Sequence, residues 1–101
     1  MLVLRNCDID KILIGCPKGH KHVRTLIFTK SGEIIVLQEA TVAGIVRGYL
    51  SVALHPSREA IELISRKLDE RKKGFAEYQL LESGKSSSEV VDEITKILEG
   101  E

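Results

Sequence analysis

The side chains best suited to chemistry lie in one short segment, Cys16 to His22, which has the sequence CPKGHKH. A thiolate and two imidazoles are ligand types that zinc and related transition metals prefer. The intervening proline and glycine favour a tight turn, which would bring the thiol of Cys16 back toward His20. His22 follows two residues later, and on a strand both histidines would point to the same face. The segment therefore predicts a transition-metal site, with zinc as the candidate cofactor.

The candidate fourth ligand is Cys7, which lies nine residues before Cys16. The resulting spacing, Cys-x8-Cys-x3-His-x-His, is not one of the usual zinc-finger spacings. A structural turn is the alternative interpretation: Cys16 is then a small buried side chain and the histidines are solvated. Ligand types alone do not decide between the two, because a metal site also requires that the donors converge.

The same segment is also basic, which suggests an anionic small-molecule ligand. Lys18, Lys21 and Arg24 alternate with the histidines, and the backbone amides around Gly19 could add further donors. Arg47, from a later helix, is another candidate for anion binding. A metal requires neutral imidazoles, whereas an anion is bound best by protonated ones. Metal binding and anion binding are therefore competing interpretations of one loop.

A thiol-dependent enzyme is a further interpretation, because Cys16 beside His20 or His22 has the composition of a thiolate–imidazolium pair. No sequence signature of a nucleophile surrounds Cys16, and no orienting carboxylate is evident for the histidines. We therefore expect a binding protein in preference to an enzyme.

A second candidate surface lies on a predicted helix and consists of small and polar residues. Small side chains let another backbone approach closely, so this face could join two copies of the chain, as could a free sheet edge. Alternatively, the glycines pack the helix against the chain's own sheet. The candidate interface residues are Gly44, Gly48, Ser51 and His55. Opposite them lies an apolar stripe formed by Val42, Ile45, Val46, Tyr49, Leu50 and Ala53.

A β-hairpin over about residues 22–40 is expected to follow the chemical loop. Its arms are rich in branched and aromatic residues, and Ser31-Gly32 between them suits a two-residue turn. With that turn, Arg24 lies opposite Glu39 as a charge pair. Two short apolar segments are expected to extend the hairpin to an antiparallel sheet of three to four strands: residues 2–5 and 12–14.

Two to three helices are predicted after the hairpin. Hydrophobic spacing indicates the first two, and Ser86-Ser87-Ser88-Glu89 has the spacing of a capping box at the start of the last. Residues 75–82 fit either a short helix or an edge strand. The predicted helices cover about residues 41–55, 57–73 and 86–99. The sequence therefore predicts a single α+β domain over residues 1–101, in which the sheet packs against the helices.

Composition limits the class of protein. The 101 residues are 43% apolar and 30% charged, which is typical of a globular domain. Positive and negative residues balance at 15 each and the chain has no Trp, so nucleic acid is not an expected partner. No apolar run approaches the roughly 18 residues of a membrane span, and no secretory signal is evident, so we expect a cytoplasmic protein with reduced cysteines. Abundant Lys, Glu and Ile, with few Asn, Gln and Met, is typical of a thermophilic source.

Overall fold

The computed structural model describes residues 1–68 and 77–99, and it confirms the α+β class. The chain divides into two compact units, Met1–Val42 and Ala43–Glu101. In chain order the elements are a 3₁₀ turn (Asn6–Asp8), β1 (Ile9–Gly15), β2 (Arg24–Thr29), β3 (Ile34–Gln38), α1 (Glu39–Leu54), β4 (Leu63–Lys67), β5 (Tyr78–Glu82) and α2 (Ser87–Glu99). Neither helix in the described ranges has the length and apolarity needed to cross a membrane.

The first unit is built on an antiparallel sheet of three strands in the order β1-β2-β3. Residues 2–5 form no strand, and the 3₁₀ turn that follows them leads directly into β1. Arg5 and Asp8 close this turn, because the amide of Arg5 donates to Asp8 Oδ2 at 2.9 Å and the guanidinium donates to the same carboxylate. These side-chain and backbone hydrogen bonds from Arg5 lower the pKa of Asp8.

The β2–β3 hairpin is present, but the predicted two-residue turn is wrong. Thr29 and Glu33 close the loop instead, with the amide of Thr29 donating to the carbonyl of Glu33 at 2.9 Å. The loop therefore has three residues, and Gly32 at φ +94° supplies the left-handed conformation that such a loop needs. The hydroxyl of Thr29 also accepts from the amide of Glu33 at 3.0 Å, which favours this closure. The register shifts by one residue as a result, and Arg24 pairs with Gln38.

The second unit contains a two-stranded antiparallel sheet of β4 and β5. The helix predicted over 57–73 is wrong at residues 63–67, which form β4; residues 69–73 lie outside the described part of the chain. The residues from Leu63 to Lys67 pair with Glu82 to Tyr78, and this non-local pairing outweighs the helical spacing of the apolar residues. Residues 78–82, which fitted either a helix or a strand, form β5.

Helix α1 begins two residues before its predicted start and packs through its glycines. A Cβ atom at Gly44 would lie 3.1 Å from Leu80 Cδ1, and one at Gly48 would lie 3.5 Å from Ile61 Cγ2. The structure therefore shows the interpretation in which the two glycines pack the helix against the chain's own sheet. Most of the apolar stripe of α1 is exposed: Ile45 by 54%, Val46 by 47%, Tyr49 by 69% and Leu50 by 44%.

Helix α2 confirms the predicted C-terminal helix, since it covers Ser87–Glu99. Ser86 caps its start: its hydroxyl accepts from the amide of Glu89 at 3.3 Å and lies 3.2 Å from the carboxylate of the same residue. Val90 on the first turn is buried, and the hydroxyl of Ser87 donates to the carbonyl of Ala60. These contacts fix the first turn of α2 within the second unit.

Candidate ligand-binding loop

The loop that joins β1 to β2 carries the cysteine and both histidines of the predicted site. Its turn is closed by a hydrogen bond from the amide of His20 to the carbonyl of Pro17 at 3.0 Å. Gly19 adopts φ +79°, a conformation that favours glycine. The thiol of Cys16 donates to the carbonyl of His20 at 2.9 Å, so the turn brings Cys16 back to the backbone of His20, as its sequence suggests. Cys16 is nevertheless exposed and not a buried side chain.

Glu39, which sequence reasoning paired with Arg24, lies instead against His22. One carboxylate oxygen, Oε2, is 3.2 Å from His22 Nδ1 and accepts from the amide of Val23 at 2.9 Å. Because a carboxylate only accepts hydrogen bonds, Nδ1 is the donor in this contact, and in the neutral ring the lone pair then lies on Nε2. The Glu39 carboxylate therefore orients the imidazole with Nδ1 toward itself, so Nε2 is the ring atom left to bind a ligand.

The shift of register explains why this contact was missed. Arg24 pairs with Gln38, and its guanidinium donates to the carbonyls of His22 at 3.3 Å and Val23 at 3.4 Å. Glu39, one residue beyond β3, is thereby left to face the end of the loop. Had the hairpin been predicted with the observed register, Glu39 would have been placed close to the segment before Arg24. The sequence alone is compatible with either register.

Cys7 is not brought to the loop. It lies in the 3₁₀ turn before β1, whereas Cys16 directly follows that strand. The seven residues of β1 lie between Cys7 and Cys16, and a strand of that length spans roughly 20 Å. Nor does strand alternation set the directions of His20 and His22, because β2 begins only at Arg24.

Within residues 1–68 and 77–99, no three His, Cys, Asp or Glu side chains are grouped closely enough to hold a metal. The loop instead presents its donors in two separate contacts: the thiol of Cys16 with a carbonyl, and the imidazole of His22 with a carboxylate. All three predicted ligands of the loop are exposed to solvent.

The cations predicted to bind an anion are divided between the two units. Lys18 and Lys21 lie on the loop, are exposed, and form no ion pair in the described part of the chain. Arg24 is half-buried and donates to the loop's backbone. Arg47 belongs to α1 in the second unit, where it is exposed. The two lysines are therefore the free positive charges that the loop itself offers.

Most of the predicted interface residues of α1 make contacts with other residues of the second unit. Gly44 and Gly48 are buried, and the hydroxyl of Ser51 accepts from Arg58 Nη1 at 2.7 Å. Arg58 also pairs with Glu82 at 2.7 Å and so links α1 to β5, a connection that sequence reasoning missed. His55 directly follows α1 and is exposed.

A second ion-pair group joins the start of β4 to α2. The ammonium of Lys85 lies 3.2 Å from both Glu62 and Glu93. Hydrogen bonds from Ser83 and from Lys85 lower the pKa of Glu62, and hydrogen bonds to the two carboxylates raise the pKa of Lys85. The single ammonium of Lys85 thus links two carboxylates from different segments of the second unit, which indicates a structural role.

Comparison with known protein families, with curated proteins and with solved structures found no match. An assignment of function therefore depends on the chemistry of the loop and of the exposed surfaces.

Proposed function

We propose that the protein is a small cytoplasmic binding module whose β1–β2 loop binds a transition metal ion, zinc being the best suited. The contact between Glu39 and His22 Nδ1, at 3.2 Å, carries this proposal. Histidines that bind metals characteristically donate their other ring N–H to a carboxylate, which fixes the ring and raises its basicity. His22 has this arrangement before any metal is added, so Nε2 is the ligand atom that it would contribute.

Cys16 and His20 supply the other donors. Among residues 1–68 and 77–99, the carbonyl of His20 is the one hydrogen-bond partner of the Cys16 thiol, and a bound metal would displace the thiol proton. In the described part of the chain, the hydrogen bonds that restrain the loop are the thiol contact, the turn closed by Pro17, the contacts of Glu39, and those from Arg24 to the last two loop carbonyls. Metal binding therefore gathers donors that the free loop keeps in separate contacts, at the cost of one weak thiol hydrogen bond.

The site has three protein ligands, because Cys7 lies at the far end of β1. Zinc is usually four-coordinate, and sites with three protein ligands keep the fourth position for water or another small ligand. The loop is exposed, so this position is accessible from solvent. An accessible site of this kind suits a module that binds a ligand, and not a purely structural zinc site.

The direct test is titration of the reduced protein with cobalt(II), which replaces zinc in many sites and absorbs visible light. We expect saturation at equimolar cobalt, with thiolate-to-cobalt charge-transfer absorption, and loss of the spectrum when zinc is added. Protein prepared without chelator or immobilised nickel should also contain zinc by elemental analysis. A colourless titration together with metal-free protein would overturn the proposal.

Glu39→Gln is expected to lower zinc affinity by roughly 10–100-fold, the usual cost of losing a carboxylate that orients a ligating histidine. The amide oxygen of glutamine can still accept from Val23, so the loop should keep its fold. Competition with a chromophoric chelator measures the affinity. Glu33→Gln is the matched control, because the described contacts of Glu33 use only its backbone. Equal affinities for the Glu39→Gln variant and the original protein would contradict the role of Glu39.

Self-association is a second candidate function, favoured by the exposed apolar stripe of α1. This stripe includes Ile45, Val46 and Tyr49, exposed by 54%, 47% and 69%, and Leu54 at the end of the helix is exposed by 72%. Contiguous apolar surface of this kind is typical of an interaction site. The partner that we propose is a second copy of the chain, in which the same face of α1 makes a symmetric contact.

Sedimentation velocity over a range of concentrations tests this second function. We expect a dimer that becomes a monomer in the double variant Ile45→Lys/Tyr49→Lys, because each protomer would then bury two unpaired charges in the symmetric interface. Ile14→Lys is the control, since Ile14 is 71% exposed on β1 and outside α1. A protein that stays monomeric at the highest concentration would exclude self-association through α1.

A further inference from the structure

We infer that β3 pairs edge to edge with β3 of a second copy of the chain, and that the two strands run antiparallel about a two-fold axis at Ile35. This interface is separate from the β1–β2 loop and from the exposed stripe of α1. It uses backbone hydrogen-bonding groups at the edge of the first unit's sheet.

The two edges of that sheet differ in how well they are protected. The strand order places β1 at one edge and β3 at the other. At the β1 edge the register shifts between Ile9 and Lys11, and both Asp10 and Lys11 are charged, which discourages pairing with another chain. Strand β3 has the sequence IIVLQ, contains neither charge nor proline, and pairs with β2 in a continuous register. Such an edge is a template for another strand, so β3 is the edge suited to association.

The backbone of β3 directs alternate residues to its free edge. The amide of Thr29 donates to the carbonyl of Glu33 at 2.9 Å, so Glu33 is turned toward β2. Every second residue of an antiparallel strand repeats that direction, which turns Ile35 toward β2 as well. Ile34 and Val36 lie between these positions, and their N–H and C=O groups point away from β2. In the described ranges β2 is the one strand that pairs with β3.

These outward groups are self-complementary when the two-fold axis passes through Ile35. Ile34 then lies opposite Val36 of the second copy, and each such pair exchanges both of its backbone hydrogen bonds. Ile35 lies opposite Ile35 of the second copy, in a pair without hydrogen bonds. An axis at Val36 would instead bring Glu33 opposite Glu39 of the second copy, and like charges in opposite positions are destabilising.

The side chains that meet across this axis favour a second copy as the partner. Ile34 and Val36 share one face of the sheet and are exposed by 55% and 57%. Opposite positions on one face bring these β-branched side chains into contact. Strand β3 carries no charge, so two copies of it oppose no like charges, whereas a charged peptide would find no charge in β3 to pair with. The pairing joins two three-stranded sheets into one of ordinary size.

Cysteine cross-linking tests this register in a background with Cys7→Ser and Cys16→Ser. Ile35→Cys places two thiols across the axis, where the Cα atoms are about 4.5 Å apart, within the range of a disulfide. Leu37→Cys is the matched control on the same face of β3, because its counterpart is displaced along the strand by roughly 13 Å. Under mild oxidation we expect Ile35→Cys to form the covalent dimer at least about tenfold faster, since pairing raises the effective concentration of the thiols.

Val36→Pro, added to the Ile35→Cys chain, tests the backbone pairing. Proline removes an N–H that points to the free edge, so the sheet of the first unit should persist, as circular dichroism can verify. We expect the rate of cross-linking to fall to that of Leu37→Cys. If the proline variant does not fold, Val36→Lys replaces it, because a lysine on an edge strand opposes pairing without removing an amide.

Equal rates for Ile35→Cys and Leu37→Cys would overturn the inference, as would a faster rate for Leu37→Cys. The double variant Ile45→Lys/Tyr49→Lys separates this interface from the one proposed for α1. In the Ile35→Cys chain it should leave the rate of cross-linking unchanged. Loss of cross-linking in that variant would show that the copies associate through α1 and not through β3.

Discussion

Cys16→Ser is expected to remove the thiolate-to-cobalt absorption and to lower cobalt affinity by more than about 100-fold, exceeding the loss of an orienting carboxylate. The reason is that a thiolate is a strong ligand for cobalt and zinc, whereas a serine hydroxyl does not ionise near neutral pH. The serine hydroxyl can still donate to the carbonyl of His20, as the thiol does at 2.9 Å, so the turn itself should persist. Affinity is measured by direct titration at the visible cobalt bands.

Cys7→Ser is the control for this experiment, because it removes the other free thiol of the chain from the opposite end of β1. We expect the control to bind cobalt with unchanged affinity and an unchanged spectrum. A spectrum that survives Cys16→Ser would show that the sulfur of Cys16 is not a ligand. If Cys7→Ser abolished the spectrum instead, the metal would bind at Cys7 and the loop would lose its proposed role.

Gly44→Leu is expected to lower the free energy of unfolding by about 2–3 kcal/mol, as overpacking of a filled site does. Even a Cβ atom at this position would lie 3.1 Å from Leu80 Cδ1 and 3.5 Å from Leu80 Cβ. A leucine side chain has no room unless α1 separates from the sheet or β5 shifts. Urea denaturation followed by circular dichroism measures the change, which should appear as a lower midpoint.

Gly48→Ala provides the contrasting variant on the same helix face. Its new methyl group would lie 3.5 Å from Ile61 Cγ2 and 3.6 Å from Leu63 Cδ1, which are ordinary packing distances. Alanine is favoured over glycine inside a helix, so stability should rise by up to about 1 kcal/mol. If Gly44→Leu were as stable as the original protein, the glycine face of α1 would not be packed on the β4–β5 sheet.

The elements that the sequence predicts well are those with local determinants. Helix α2 is set by Ser86 and Glu89, three residues apart, and by its own apolar spacing, so no distant segment is needed to recognise it. The β2–β3 hairpin is recognisable for the same reason. Its register is not, because two-residue and three-residue loops both suit the sequence around Gly32, and the side chain of Thr29 favours the longer one.

The elements that the sequence predicts poorly depend on distant partners. Ile61, Ile64 and Leu68 are spaced as on one face of a helix, yet residues 63–67 form β4 because β5 pairs with them from more than ten residues away. The faces of α1 depend likewise on Leu63 and Leu80, which meet the glycines and leave the larger apolar side chains exposed. Helical periodicity indicates that two faces exist, but it does not say which one the sheet covers.

The candidate site was predictable in its residue types and not in its geometry. The turn between Cys16 and His20 follows from proline and glycine, and it is present. The placement of Glu39 beside His22 requires the correct hairpin register, and the remoteness of Cys7 requires the full length of β1. Both are long-range properties, which residue spacing along the loop cannot supply.

Glu39 has two roles that are usually given to different residues. Its carboxylate holds the ring of His22, and its backbone begins α1, where the helix macrodipole favours a negative charge. The loop and the helix consequently share a single acidic group. Substitution of Glu39 should therefore affect both the orientation of the His22 ring and the electrostatics of the first turn of α1.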